Sequence, residues 1–166
     1  MEDRMEKDIA VYVSVLHDSL RNKCDVLQEL LDITKEQEQV LSEEEMDFDE
    51  FDEMMKDKDS LIQKIQELDQ GFQNVYDKIG SSLKEHAEQF KGQIVEMQAY
   101  IRKATDCGVK IQALEHSNKE KFAAALAKKR REIHDFNKSN KTVVSYSKNM
   151  ANQHQAWQSY FMDKKE

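Results

Sequence analysis

Apolar side chains recur at steps of three and four residues along most of the chain, and no proline interrupts them. Because an α-helix turns once in about 3.6 residues, such side chains share one helix face, which must be buried against another element. The pattern therefore predicts an all-α protein, an elongated antiparallel helical bundle or coiled coil of three long helices. The stripe residues are Ile9, Val13, Leu16, Leu20, Leu27 and Leu31, then Phe48, Phe51, Met55, Ile62, Ile65, Phe72, Tyr76, Ile79 and Leu83, then Phe90, Ile94, Met97, Ile101, Ile111 and Leu114.

Two breaks divide this pattern. At the first break, an acidic turn, either Ser42 or Asp47 can cap the helix that follows, since both carry side-chain oxygens suited to that position. At the second break, Gly80 suits the end of a helix, and Ser82 with Glu85 has the spacing of a capping box. Whether the chain reverses there or only kinks stays open. The predicted helices span about 3–40, 48–79 and 83–135.

A polar stretch, residues 137–141, separates the third helix from a predicted helical C-terminal tail at about 142–162. The tail holds the only tryptophan and a dense share of the aromatic residues, which are enriched where interfaces concentrate their binding energy. Two interpretations stay open: the tail caps the bundle core, or it grips a partner. The candidate partner-binding residues are Val143, Val144, Tyr146, Met150, Trp157, Tyr160 and Phe161.

Composition suits slender two-sided helices better than a thick globular core, because 39% of the 166 residues are hydrophobic and 35% are charged. We expect a single helical domain over residues 1–166. The net charge of −8 is unevenly spread. Residues 1–59 hold 7 basic and 20 acidic side chains, net −13, and residues 60–166 hold 18 and 13, net +5. The two parts can therefore attract each other or different partners.

The N-terminus is charged and has no signal-peptide apolar stretch, no run approaches 18 apolar residues, and neither end carries a lipidation motif. We expect no stable membrane insertion. Cys24 and Cys107 lie inside helical patterns, which favours reduced, buried thiols and a cytoplasmic location.

Motifs for metal or cofactor chemistry do not occur. Counted from Asp47, the sixth and twelfth positions of an EF-hand loop are Asp52 and Lys58 rather than glycine and glutamate. Neither HExxH nor Glu-x-x-His is present, and no phosphate-cradling glycine loop occurs. We therefore expect no catalytic residues, no cofactor and no metal site, and we interpret the five histidines as surface or rim residues.

A basic cluster occupies residues 128–131. Four consecutive residues point around a helix rather than along one face, which favours an ordinary solvated surface. Contact with an acidic protein partner, nucleic acid or anionic lipid is the alternative. The acidic net charge argues against nucleic acid.

Several short motifs accompany the leucine-striped first helix and the acidic turn. They are Lys58-Asp59-x-Leu61, Leu68-Asp69-x-Gly71-Phe72-x-x-x-Tyr76, Ile111-Gln112-Ala113-Leu114-Glu115-x-x-Asn118 and Phe161-Met162-Asp163-Lys164-Lys165. With these motifs, nearly the whole chain resembles the FlgN-type flagellar export chaperones, in the form found in Gram-positive gut bacteria.

The resemblance implies a cytosolic chaperone for flagellar hook-associated proteins, which form the filament junction. Such chaperones bind the amphipathic C-terminal segment of their cargo and deliver it to the export ATPase and gate. The gripping part would lie at about 110–162 here, and the chain would be a monomer or weak homodimer. The alternative is a coiled-coil scaffold or export-ATPase regulator without chaperone activity, for which longer, more even heptads and charged ends are typical.

Overall fold

The computed structural model describes residues 2–135, with side-chain surroundings from residue 4 onward, and every regular element in this range is α-helical. The helices are α1 (Glu2–Leu41), α2 (Phe48–Glu85) and α3 (Lys91–Asp135). The predicted all-α bundle with three long helices is confirmed. The predicted C-terminal helix at 142–162 lies outside the described residues.

The first predicted break is the connection between α1 and α2. The Ser42 hydroxyl donates to the Glu38 carbonyl at 2.7 Å and so closes the end of α1. The Asp47 carboxylate accepts from the Glu50 amide at 3.0 Å, which satisfies one of the free amides at the start of α2. Of the two candidate caps, Asp47 is therefore the one that caps α2. Asp49 and Glu50 in the first turn add negative charge near the positive end of the helix dipole.

The predicted break at Gly80–Ser82 is wrong, because α2 continues to Glu85. Gly80 does not adopt the left-handed conformation of a helix cap, and a Cβ added to it would lie 3.4 Å from the Tyr76 ring. The helix ends instead where His86 Nδ1 lies 2.8 Å from the Ser82 carbonyl oxygen, an atom that the end of a helix leaves exposed. Residues 86–90 form the turn into α3.

The described helices divide into two compact units, and each helix contributes to both. Unit 1 contains α1 up to Glu29 together with Leu61–Gly108. Unit 2 contains Leu30–Ser60 together with α3 from Val109 onward.

Unit 1 has an apolar core contributed by all three helices. Lys23 on α1 pairs with Asp69 on α2 at 2.7 Å, and His17 on α1 lies 2.6 Å from Glu96 on α3. Residues 79 and 83, near the end of α2, lie in one cluster with residues 9–20 near the start of α1, whereas Asp69, earlier in α2, pairs with Lys23, later in α1. The two helices therefore run antiparallel. The chain reverses at residues 86–90, so α2 and α3 form a hairpin rather than one kinked rod. The buried cluster is Ile9, Val13, Leu16, Leu20, Ile79, Leu83, Phe90 and Met97.

Unit 2 has an aromatic core. The rings of Phe51 and Phe122 stack at 5.0 Å between centroids, and Phe48 meets Phe122 edge to face at 6.3 Å. Phe51, Leu30 and Ile111 are fully buried. These contacts place the start of α2 against the later part of α3.

Six residues of the predicted stripes are less buried than expected. Ile101 is 48% exposed and Tyr76 is 39% exposed, and the half-buried ones are Phe48, Phe72, Ile94 and Leu114. On α3 the inward positions next to Ile111 are taken by Cys107 and Glu115, one helical turn to either side. Because Cys107, Ile111 and Glu115 define the buried face of α3, Ile101 and Leu114 lie to one side of it. A thiol and a carboxylate therefore line part of this buried face.

The prediction that both cysteines are buried is confirmed. The Cys24 thiol donates to the Tyr100 carbonyl at 3.2 Å, and the Cys107 thiol donates to the Leu27 carbonyl at 3.4 Å. Burial raises the pKa of the Cys24 thiol above its usual value. Over residues 2–135, no helix is both long and apolar enough to cross a membrane.

Candidate functional site

All the buried polar and charged side chains in the described part of the chain belong to unit 2. All three helices contribute, and each side chain is at most 2% exposed. A polar layer inside a helical bundle is unusual, because charged residues are almost never fully buried unless paired. The members of this buried polar layer are Thr34, Gln37, Lys58, Glu115 and Asn118.

An ion pair between Lys58 of α2 and Glu115 of α3 forms the centre of the buried polar layer. The Lys58 ammonium group donates to Glu115 Oε1 and, at 2.6 Å, to Gln37 Oε1 on α1. The Gln37 amide in turn donates to the Met55 sulfur at 3.3 Å. One ammonium group thus connects all three helices of unit 2.

Asn118 extends the layer along α3 toward α1. Its amide nitrogen donates to the Thr34 carbonyl at 3.1 Å, and the Thr34 hydroxyl donates to the Leu30 carbonyl at 2.7 Å. Asn118 Oδ1 is buried and has no hydrogen-bond partner within residues 4–135. An unsatisfied buried acceptor costs about 1–3 kcal/mol. This carbonyl oxygen therefore lowers the free energy of unfolding, although the amide of the same side chain links α3 to α1.

Burial dominates the electrostatics of the ion pair. It lowers the pKa of Lys58 to about 8, although the Glu115 carboxylate acts in the opposite sense. It also raises the pKa of Glu115, against the effect of the Lys58 charge. Sliding α2 along α3 by one turn would leave each charge buried without its partner, and breaking such a pair costs roughly 3–5 kcal/mol. The pair therefore penalises other alignments of the two helices.

An open cleft of about 450 Å³ lies in unit 2 beside the acidic turn, and we refer to it as the acidic-turn cleft. Its apolar lining comes from Leu41, Met46 and Phe48 near the turn and from Ala124 and Ala125 on α3. The two alanines leave space because their side chains end at Cβ. The cleft therefore offers an apolar floor with room for large side chains.

Charged side chains of opposite sign line the cleft. Glu43, Glu44 and Glu45 come from the turn, and Lys121, Lys128 and Lys129 come from α3. The Lys128 ammonium group donates to the Glu44 carbonyl at 2.7 Å, which joins α3 to the turn. Within the predicted basic cluster, Lys129 also pairs with Glu132 at 3.9 Å. Two of its four residues thus have partners inside unit 2.

The candidate partner-binding residues, Val143, Val144, Tyr146, Met150, Trp157, Tyr160 and Phe161, lie outside the described residues. Among residues 2–135, no group of three potential metal-ligating side chains is close enough to hold an ion. His17 packs edge to face on Tyr100 at 5.3 Å and bonds to Glu96. His116 is largely exposed and lies 3.7 Å from Glu120.

Sequence reasoning missed the buried polar layer, although the motifs that carry the FlgN resemblance contain three of its members, Lys58, Glu115 and Asn118. The spacing of the apolar residues in α2 did indicate one member of this layer. The stripe of α2 jumps seven residues from Met55 to Ile62, and Lys58 occupies the missing inward position.

A comparison with protein-family models matches residues 5–154 to the FlgN protein family. The chain belongs to the FlgN protein family. Membership implies a general role as a flagellar export chaperone, and FlgN chaperones as a group bind flagellar proteins. FlgN is a chaperone family rather than a known enzyme family. No curated protein and no solved structure matches the chain.

Proposed function

We propose that this FlgN protein is a cytoplasmic chaperone of flagellar type III secretion that binds hook-associated proteins. It holds the amphipathic C-terminal segment of the cargo, prevents premature aggregation and delivers the cargo to the export apparatus, including its ATPase. The chain acts as one helical domain and is a monomer or weak homodimer. We assign it no enzymatic activity, cofactor or nucleic-acid partner.

One observation carries the proposal: the FlgN match extends from residue 5 to residue 154. It therefore covers nearly all of α1, all of α2 and α3, and more than half of the C-terminal tail. The described helices supply further support, since a bundle of long amphipathic helices presents grooves between neighbouring helices, into which another amphipathic helix can pack.

The proposed grip is helix-in-groove recognition. An unfolded export substrate exposes an apolar helix stripe, and the tail residues Val143, Val144, Tyr146, Met150, Trp157, Tyr160 and Phe161 supply apolar and aromatic surface to cover it. The cargo segment loses conformational entropy when it orders on the chaperone, and this cost moderates the affinity. Moderate affinity suits a chaperone, because the cargo must be released at the export gate.

Co-purification of the full-length chain with a tagged hook-associated protein tests the proposal. We expect binding to require the last segment of the cargo and to fall at least tenfold in the variant Trp157→Ser/Phe161→Ser. The matched control is Val11→Ser, which removes an apolar side chain that is 61% exposed on α1 and should leave binding unchanged.

Two outcomes would overturn the proposal. One is binding that survives deletion of the C-terminal cargo segment. The other is a chain that binds no cargo and instead self-associates tightly in analytical ultracentrifugation, as expected of a coiled-coil scaffold.

A further inference from the structure

We propose that, in the cargo-free chain, the acidic-turn cleft is the docking site for the chain's own C-terminal tail. The cleft has an apolar floor, glutamates on its turn side, lysines on its α3 side and no occupant within residues 4–135. The candidate occupant is the apolar face of residues 142–162.

The position of the cleft along α3 makes the contact geometrically accessible. Its α3 residues, Lys121 to Glu132, cover about 16 Å of helix at 1.5 Å per residue. The described part of α3 ends at Asp135, only three residues beyond the cleft. The six residues 136–141 can span about 20 Å when extended. The tail can therefore turn back and reach the whole length of the cleft.

Charge complementarity between the tail and the turn side of the cleft favours this occupant. Residues 43–53, at the turn and the start of α2, contain eight acidic side chains and no basic one. Residues 136–162 contain three lysines and no aspartate or glutamate. The lysines of the tail are attracted to the turn side of the cleft, where Glu43, Glu44 and Glu45 lie, rather than to its α3 side, which carries lysines. The tether supplies a high effective concentration.

The apolar pattern of the tail fits the floor of the cleft. Val143, Tyr146, Met150, Trp157 and Tyr160 follow steps of three, four and seven residues along the sequence, a spacing that would place them on one face if this segment forms a helix. Ligand pockets in proteins typically measure about 300–1,000 Å³. The 450 Å³ of this cleft therefore has room for a few side chains of the tail but not for a whole helix. The tail would thus be held by its aromatic anchors while its polar side remains in water.

The single tryptophan of the chain lies in the tail, so its fluorescence reports docking without any label. We expect Trp157 in the full-length, cargo-free chain to emit at short wavelength and to resist quenching by acrylamide. The variants Ala124→Glu and Ala125→Glu place a charge on the cleft floor and should shift the emission to that of a solvated indole. The matched control Ala123→Glu changes an exposed neighbour that does not line the cleft, and should leave the emission unchanged.

Three results would overturn the proposal. Trp157 could be solvated in the unmodified chain, or it could be protected equally in all three variants, which would place it elsewhere. Protection that disappears on dilution would make a second copy of the chain the occupant. Far-UV circular dichroism and the thermal midpoint should match in all variants, which separates loss of docking from loss of folding.

Docking has a consequence for cargo that rests on the proposed function. If the tail grips cargo, the docked tail competes with it, and the apparent affinity is reduced by the fraction of chains with a docked tail. Ala125→Glu should then bind cargo several-fold more tightly than the unmodified chain. Because the fluorescence measurement uses no cargo, a failure of docking and a failure of the chaperone function give different results.

Discussion

The Lys58 ammonium group of α2 donates a hydrogen bond to the Glu115 carboxylate of α3, and both side chains are buried in unit 2. Gln37 of α1 accepts a second hydrogen bond from the same ammonium group. The Lys58 ammonium group therefore joins all three helices of unit 2, and its pairing with Glu115 penalises other alignments of α2 and α3. Apolar contacts alone specify alignment weakly, because one turn of a striped helix resembles the next.

Replacing one partner of the Lys58–Glu115 pair should lower the free energy of unfolding more than replacing both partners. We expect Lys58→Met to lower the free energy of unfolding by about 3–5 kcal/mol, because Glu115 stays buried without its counter-charge. The double variant Lys58→Met/Glu115→Leu should recover most of this loss or exceed the stability of the unmodified chain. Urea denaturation monitored by circular dichroism measures both.

The control for that series is Lys56→Ala. Lys56 pairs with Asp52 and Glu53 on the exposed side of α2, and exposed pairs contribute at most about 1 kcal/mol. A double variant as unstable as the single one would contradict the assignment of Lys58 and Glu115 to one pair.

Stability should also depend on pH in a defined window. Burial lowers the pKa of Lys58 to about 8 in the folded chain, against 10.5 for an ordinary lysine. Between these values the unfolded chain binds more protons than the folded chain, so the contribution of Lys58 to the free energy of unfolding rises with pH. We expect a rise of about 1–3 kcal/mol between pH 8 and 10.5 relative to Lys58→Met/Glu115→Leu. Parallel pH profiles of the two proteins would refute the lowered pKa.

Gly80→Ala tests the continuity of α2. An added Cβ would make ordinary contact with the Tyr76 ring at 3.4 Å, and alanine is favoured over glycine inside a helix by about 1 kcal/mol. We therefore expect Gly80→Ala to leave the thermal midpoint unchanged or to raise it. Gly71→Ala is the reference, because its Cβ would meet nothing within 4 Å. A clear loss of stability in Gly80→Ala alone would indicate a left-handed cap at that position.

Removing the tail should separate folding from cargo binding. A chain that ends at Asn137 retains all the described helices and their buried cores. We expect it to keep the far-UV circular dichroism of those helices and a cooperative thermal transition, but to lose binding to hook-associated cargo. Retained binding would move the cargo site to α1, α2 and α3.

The apolar periodicity was sufficient to predict three helices, because it depends only on local spacing. Side-chain chemistry narrowed the cap of α2 to Ser42 or Asp47, and the hydrogen bond from the Glu50 amide identifies Asp47. The second break was misplaced for a physical reason. Gly80 and Ser82 carry local stop and start signals, but both are helical in α2. The turn at residues 86–90 contains no glycine, proline or asparagine, so its sequence has no strong turn signal.

The buried polar layer was harder to predict, because lysine, glutamate and asparagine are mostly exposed residues. Lys58 is buried only because Glu115 lies opposite it across α2 and α3, 57 positions later in the chain. A one-helix pattern cannot reveal such a pairing. The seven-residue step from Met55 to Ile62 indicates that the inward position between them, residue 58, is not apolar. Only the structure identifies Glu115 as the partner of the lysine at that position.

The central claim is that this FlgN chain recognises an amphipathic C-terminal segment of a hook-associated protein. The most direct test is isothermal titration of the full-length chain with that segment and with a peptide of identical composition whose apolar stripe is scrambled. We predict saturable one-to-one binding of the native segment, with a negative heat-capacity change from apolar burial, and no measurable binding of the scrambled peptide. Equal binding of both peptides, or of neither, would contradict the claim.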